Sequence, residues 1–204
     1  MNIDNVFKIY TSESKIQLFH EGGSHLSKIK GYYKDSLAYY KLAHFLKDYI
    51  NDSIIICIGT DKCIGDCLGP LVGTSLIEKN FPYPVYGTLD KPIHALNIDT
   101  ELKKIYKLHP YSTIIAIDAC LGNNDSIGEI HLKTNALKPG KGVGKSLPPV
   151  GDISIIGIVD TSSKKDSFSN RAIRLSLIMD ISKVITNSIL TASILNNEIN
   201  RSTS

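Results

Sequence analysis

The six residues Ser53–Ile58, SIIICI, run without a break into Gly59–Pro70, GTDKCIGDCLGP. A continuous β-branched run reads as a strand covered on both faces, because a strand with one wet face would alternate apolar and polar residues. The segment beyond the run carries Gly59, Gly65 and Gly69, two cysteines, Asp61 and Asp66. A turn that only reversed the chain would not need carboxylates beside its glycines. With a helical pattern over Leu68–Lys79 beyond it, the stretch reads as the first strand, turn and helix of an α/β unit. In open α/β sheets, ligands bind where such strands end.

The same alternation continues outward. Further strands are expected at Val85–Leu89, Thr113–Ile117, Gly128–Leu132 and Ile153–Val159. Helices are expected from Asp35 or Ser36 to Tyr49, over Ile98–Leu108, and from Asn170 to near Asn196. This order predicts a three-layer α/β/α sandwich around a mainly parallel sheet. Residues 1–34 are polar, broken by Gly22-Gly23-Ser24, and read as an N-terminal arm; residues 35–204 read as a single domain. A chain of 204 residues with 42% hydrophobic content can bury one substantial core.

Charge and composition exclude several functions. There are 23 basic and 20 acidic residues, a net charge of +3, which is not the basic footprint of a nucleic-acid binder. No uninterrupted apolar run nears the roughly 18 residues of a membrane span. The start, MNIDNVFKIYTSESK, lacks the charged-then-apolar order of a signal peptide. A cytoplasmic protein without a membrane partner is expected, with Cys57, Cys63, Cys67 and Cys120 as free thiols.

A second acid, Asp118, closes the neutral run YSTIIAIDACLG (Tyr111–Gly122). Taken singly, Asp66 can be a helix cap and Asp118 a strand-end turn residue. If both strands are central and parallel, however, the two carboxylates project at one edge of the sheet. Neighbouring acids cannot both ionise freely, so the pair retains a proton and one group can act as base while the other acts as acid. Such a pair suits attack of water on an amide.

Four segments, CIGTDKCIGDCLGPLVG (57–73), GTLDKPIHALN (87–97), IIAIDACLG (114–122) and KPGKGVGKSLPPVGDISIIGIV (138–159), resemble the YyaC family of sporulation proteins in order and content. The resemblance runs over most of Ser53–Leu190. That family in turn is similar to the germination protease of spores and, more distantly, to the hydrogenase maturation proteases. The resemblance implies a phosphorylase/hydrolase-like fold and an aspartic-type endopeptidase of sporulation or germination, with Asp66 and Asp118 matching the two active-site acids. It implies a protein or peptide substrate, candidates being spore proteins, in the sporulating cell or forespore. The maturation proteases also use a histidine to read the nickel of their client, and LKPGKGVGKS stands in the corresponding region here, so neither metal nor other cofactor is expected. A rival of another class is a sporulation binding or assembly protein that keeps the fold without catalysis. A homo-oligomer is compatible with either.

The remaining motifs are weaker. PGKGVGKS matches the end of a phosphate-binding GxxxxGK[ST] loop, but Pro139 replaces its first glycine and Pro148-Pro149 would disturb the helix that must come next. The segment reads as a glycine-rich loop over the carboxylates or equally as a plain solvent loop; in the first case Lys141, Gly142 and Lys145 are candidate substrate contacts beside Gly65 and Gly69. Cys63, Cys67 and Cys120 with His94 could be written as a zinc site, but CxxxC is not the usual tight CxxC and small buried thiols are the simpler account. His94 is either a substrate contact at the edge of the site or the residue that starts the next helix. His131, on an alternating strand, is read as structural.

Overall fold

The computed structural model describes residues 27–139, 147–162 and 171–202. In chain order the elements are β1 (Lys28–Tyr32), α1 (Ala38–Leu46), β2 (Ser53–Cys57), α2 (Leu68–Glu78), β3 (Val85–Tyr86), α3 (Ile98–Leu108), β4 (Thr113–Gly122), β5 (Glu129–Lys133), β6 (Ile153–Thr161) and α4 (Leu175–Ser202). The strands form one sheet in the order β1-β5-β6-β4-β2-β3. The four strands β6, β4, β2 and β3 are parallel, while β5 and β1 add an antiparallel edge.

β2 is buried at all five positions, as its unbroken apolar sequence predicts for a strand covered on both faces. One face of the sheet, with Ile55, Cys57, Ile115, Ile117, Ala119, Ile153 and Ile155, packs on Leu42 and Leu46 of α1, Leu68, Val72 and Leu76 of α2, and α4. The other face, with Ile54, Ile56, Ile58 and Ala116, packs on Ile98, Leu102 and Ile105 of α3 and on Leu137 and Val150. The architecture is therefore the expected three-layer α/β/α sandwich with a mainly parallel sheet, its two outer layers unequal.

α4 contributes a stripe of buried residues, Ile178, Ile181, Ile185, Ile189 and Ala192, at the three- and four-residue intervals of a helix face. Its stretch Leu175–Glu198 is long and apolar enough to cross a membrane by length and composition, but half of it is buried inside this fold. The polar residues between its apolar ones hid this length from a search for uninterrupted runs.

Two features depart from the sequence-based expectations. The last part of the expected arm is strand β1, paired in register from Lys28↔Lys133 to Tyr32↔Glu129, with Ile29 packed on the core. The third strand shrinks to Val85–Tyr86, since Gly87 has a positive φ of 85° that ends extended pairing.

Candidate active site

Asp66 is placed by a short chain reversal after β2. Ile58 continues the strand by a bridge to Ile93, and the Gly59 N–H donates to the Ile93 carbonyl at 2.8 Å. Residues Ile64–Asp66 then form one 3-10 turn, in which the Asp66 N–H donates to the Cys63 carbonyl at 3.0 Å. The turn closes when the Thr60 N–H donates to the Asp66 carbonyl at 3.0 Å. Gly59, with φ 137°, permits that closure, since a Cβ there would overlap the Asp66 carbonyl oxygen. Gly69 serves the next step: a Cβ on it would run into the Ile58 backbone, so its absence lets α2 sit directly on the end of β2.

Asp118 arrives on β4, one residue past Ile117, whose carbonyl accepts the Ile58 N–H at 2.8 Å. β2 and β4 are adjacent and parallel, so both acids stand at the same carboxyl edge. Side chains alternate along β4, and Asp118 shares the face of Ala116, the face covered by α3. The turn bearing Asp66 packs against β4.

Both acids are half-buried residues with desolvated carboxyl groups, and their proton affinities are split. Burial pushes Asp66 up to about 6, with partial relief from the Thr60 N–H. Asp118 is driven well above the usual carboxylate range, first by burial and then by the negative charge of Asp66. The 2.8 Å hydrogen bond from the Ala119 N–H to Oδ1 offsets only part of this. The pair therefore resists full ionisation, and Asp118 is the acid on which burial and the neighbouring charge both act. Two acids with affinities pushed apart by their surroundings are the pattern of an acid–base pair.

The other candidate residues fare differently. His94 lies at the same edge, directly after the Ile58–Ile93 bridge. Its carbonyl accepts the Asn97 and Ile98 N–H groups at 3.0 Å, and its Nδ1 accepts the Leu96 N–H at 3.2 Å. These bonds place His94 in the turn that leads into α3, whose N-cap position is Asn97. Gly65 and Gly69 are buried, and the space beside Gly69 belongs to the Ile58 backbone, so Gly69 lets α2 pack on the end of β2. Lys141, Gly142 and Lys145 lie outside the described residues.

The cysteines are free. Burial pushes the Cys67 thiol up to about 11 and Cys57 higher still, which keeps both as unreactive thiols. Among the described residues no three His, Cys, Asp or Glu side chains are grouped as a metal ion would require. His131, read from the sequence as structural, lies in the cross-strand row of Asp118 but two strands away. In register across the sheet, Asp118 stands opposite Ile156, and Ile156 opposite His131. The alternating pattern of β5 put His131 on one face of that strand, but which face it was depended on the antiparallel pairing.

A three-layer α/β domain with a carboxylate pair at the carboxyl edge of its parallel strands defines the class. Residues 30–188 match the family described as "Protein of unknown function (DUF1256)", and the chain belongs to that family. It is 44% identical over 133 residues to the "Uncharacterized protein YyaC" of Bacillus subtilis (strain 168), and the match spans 65% of each protein. Among solved structures, a [NiFe] hydrogenase maturation protease, HycI from Thermococcus kodakarensis KOD1, superposes with a TM-score of 0.42 at 19% identity, covering 69% of this chain and 97% of that one.

Proposed function

We propose that the chain is a peptidase in which Asp66 and Asp118 hydrolyse a peptide bond without a covalent intermediate. The observation that carries this reading is the placement of two desolvated acids at the carboxyl edge of the adjacent parallel strands β2 and β4. Asp66, ionised at neutral pH, takes a proton from water as its oxygen attacks the scissile carbonyl carbon. Asp118 gives its proton to the carbonyl oxygen, forming a neutral tetrahedral diol. On collapse, Asp66 passes its proton to the leaving nitrogen, the C–N bond breaks, and Asp118 recovers a proton from the diol. The products are a carboxyl and an amino terminus, and both acids return to their starting states.

The motif resemblance to sporulation proteins supports looking for the client among spore proteins in the cytoplasm of the sporulating cell or forespore. The test is to incubate the full chain with extracted spore proteins and to map new N-termini by mass spectrometry. Wild type should generate discrete new termini, and neither Asp66→Asn nor Asp118→Asn should. Cleavage by the Asp118→Asn protein would overturn the mechanism. No cleavage by wild type, with a spore protein retained on the chain, would favour the binding or assembly role.

A further inference from the structure

A cavity of about 550 Å³ opens at the carboxyl ends of β6 and β1, against the first turns of α4. β1 and β6 run the same way, each being antiparallel to β5, so the cavity lies at the edge of the sheet that carries Asp66 and Asp118. It is a separate hollow, lined by neither acid. Asp118 stands opposite Ile156, and Val159 of the cavity lies three residues further along β6. At about 3.3 Å per residue and one strand spacing of about 4.8 Å, the cavity begins about 11 Å from Asp118.

The pairing of β4 with β6 slips at this point: Cys120 faces Ile158, whereas Leu121 faces Asp160. Val159 is the extra residue of this bulge, a feature that re-aims side chains beside active sites. With Ile173 and Leu177 it forms an apolar floor. Tyr32 and Tyr33 form a wall, their rings edge to face with centroids 5.0 Å apart. Gly128, with φ 91°, lies against this wall, and a Cβ there would overlap both rings. Charge around the cavity is balanced: Arg174 and Asp180 are exposed and of opposite sign, and Asp160 is held by Arg171 at 3.0 Å. A hollow of this size is within the range of about 300–1,000 Å³ that ligand sites occupy. An apolar floor beside tyrosine rings suits a neutral ring, which buries its faces and sets an edge against the wall. An ionised side chain would lose its hydration there for charges that already cancel.

We propose that this cavity is a subsite for the polypeptide substrate, which places there a neutral aromatic side chain about three or four residues from the scissile bond. That the ring belongs to a substrate rests on the peptidase reading above. An extended chain rises about 3.3 Å per residue, so about three or four residues cover the distance from Asp118 over the end of β4 to Val159. Val159, Tyr32 and Tyr33 then determine specificity, and Gly128 leaves room for the two rings.

The test uses the full chain and begins with binding. Two-dimensional amide NMR spectra are followed during titration with the N-acetyl amides of phenylalanine, alanine and glutamate. Saturable shifts should centre on the Tyr33, Gly128 and Ile173 amides, and the phenylalanine amide should bind about ten-fold or more tightly than the other two. Ala172→Trp, which fills the cavity from its exposed rim, should weaken that binding about five-fold or more, whereas Lys103→Trp on α3 should change it less than about two-fold. Should the Ala172→Trp protein melt early, Tyr32→Ser, at an exposed part of the wall, carries the same expectation at about two-fold or more. Equal binding of the three amides, tightest binding of the glutamate amide, or equal losses in the two tryptophan variants overturns the subsite. The termini mapped from spore proteins supply the second readout: an aromatic residue should recur about three or four positions from the cleaved bond. Selective binding of the phenylalanine amide by a chain that cleaves nothing overturns the peptidase reading, and cleavage with no recurrent aromatic position overturns the subsite alone.

Discussion

Asp66 and Asp118 are harder to ionise in the folded chain than in the unfolded one, and this sets the sign of every pH effect at the residue scale. A folded state that binds protons more tightly loses stability as pH rises through the window between the unfolded and folded values. For Asp66 that window runs from 3.8 to about 6; for Asp118 it begins at the same point and extends higher. Asp66→Asn and Asp118→Asn should therefore each abolish hydrolysis while raising stability at pH 8. For Asp66 its partial exposure limits the gain to about 1–2 kcal/mol, at about 2–4 °C in Tm per kcal/mol for a chain of this size, and for Asp118 the change has the same sign. Thermal melts at pH 4 and pH 8 check this, with the gain expected only at the higher pH. Hydrolysis should rise with pH through about 6 as Asp66 ionises and fall again only where Asp118 loses its proton. A rate that falls through pH 6 would reverse the two roles. Both acids were legible in the sequence, Asp66 in the glycine-rich turn after one apolar run and Asp118 at the end of another. Their inequality was not, because it depends on how much protein surrounds each carboxyl group.

At the scale of elements, the turn between β2 and α2 tests how tightly backbone is packed around the site. Ala is favoured over Gly in a helix by about 1 kcal/mol, yet Gly69→Ala should destabilise. The atoms its Cβ would meet are the Ile58 backbone, which cannot swing aside as a side-chain tip can. Gly59→Ala combines a positive φ with overlap on the Asp66 carbonyl, and should cost about 2–4 kcal/mol. Hydrolysis should fall further than the folded fraction does, because the overlap displaces the turn that carries Asp66; denaturation midpoints and kcat measured together separate the two. The strand β1 gives the other test. Deleting residues 1–33 removes β1 and uncovers the β5 edge and the core contacts of Ile29, so the product should aggregate, by light scattering, far more readily than one lacking residues 1–26. β1 escaped the sequence reading because KIKGY has lysines and a glycine, a composition that an edge strand tolerates and a central one does not.

For the molecule as a whole, the acid pair should work without a bound metal, since among the described residues it has no third ligand beside it and two carboxylates alone hold zinc poorly. Chelation by EDTA should leave hydrolysis unchanged, and one zinc per chain, lost together with activity, would overturn the mechanism. The sequence by itself determined the class of fold and singled out the two acids as candidates. Unbroken runs such as SIIIC mark strands buried on both faces, helical intervals mark the layers around them, and the two acids stand out as a pair although each alone has a structural reading as cap or turn residue. Only the tertiary structure decided that β1 and β5 pair antiparallel at the edge, that Gly69 packs on Ile58, and that His131 and Lys30 share a row with Asp118. Register is the physical reason. A slip of one residue moves every side chain of a strand to the opposite face, and nothing in β5 read alone says which residue of β6 it will meet.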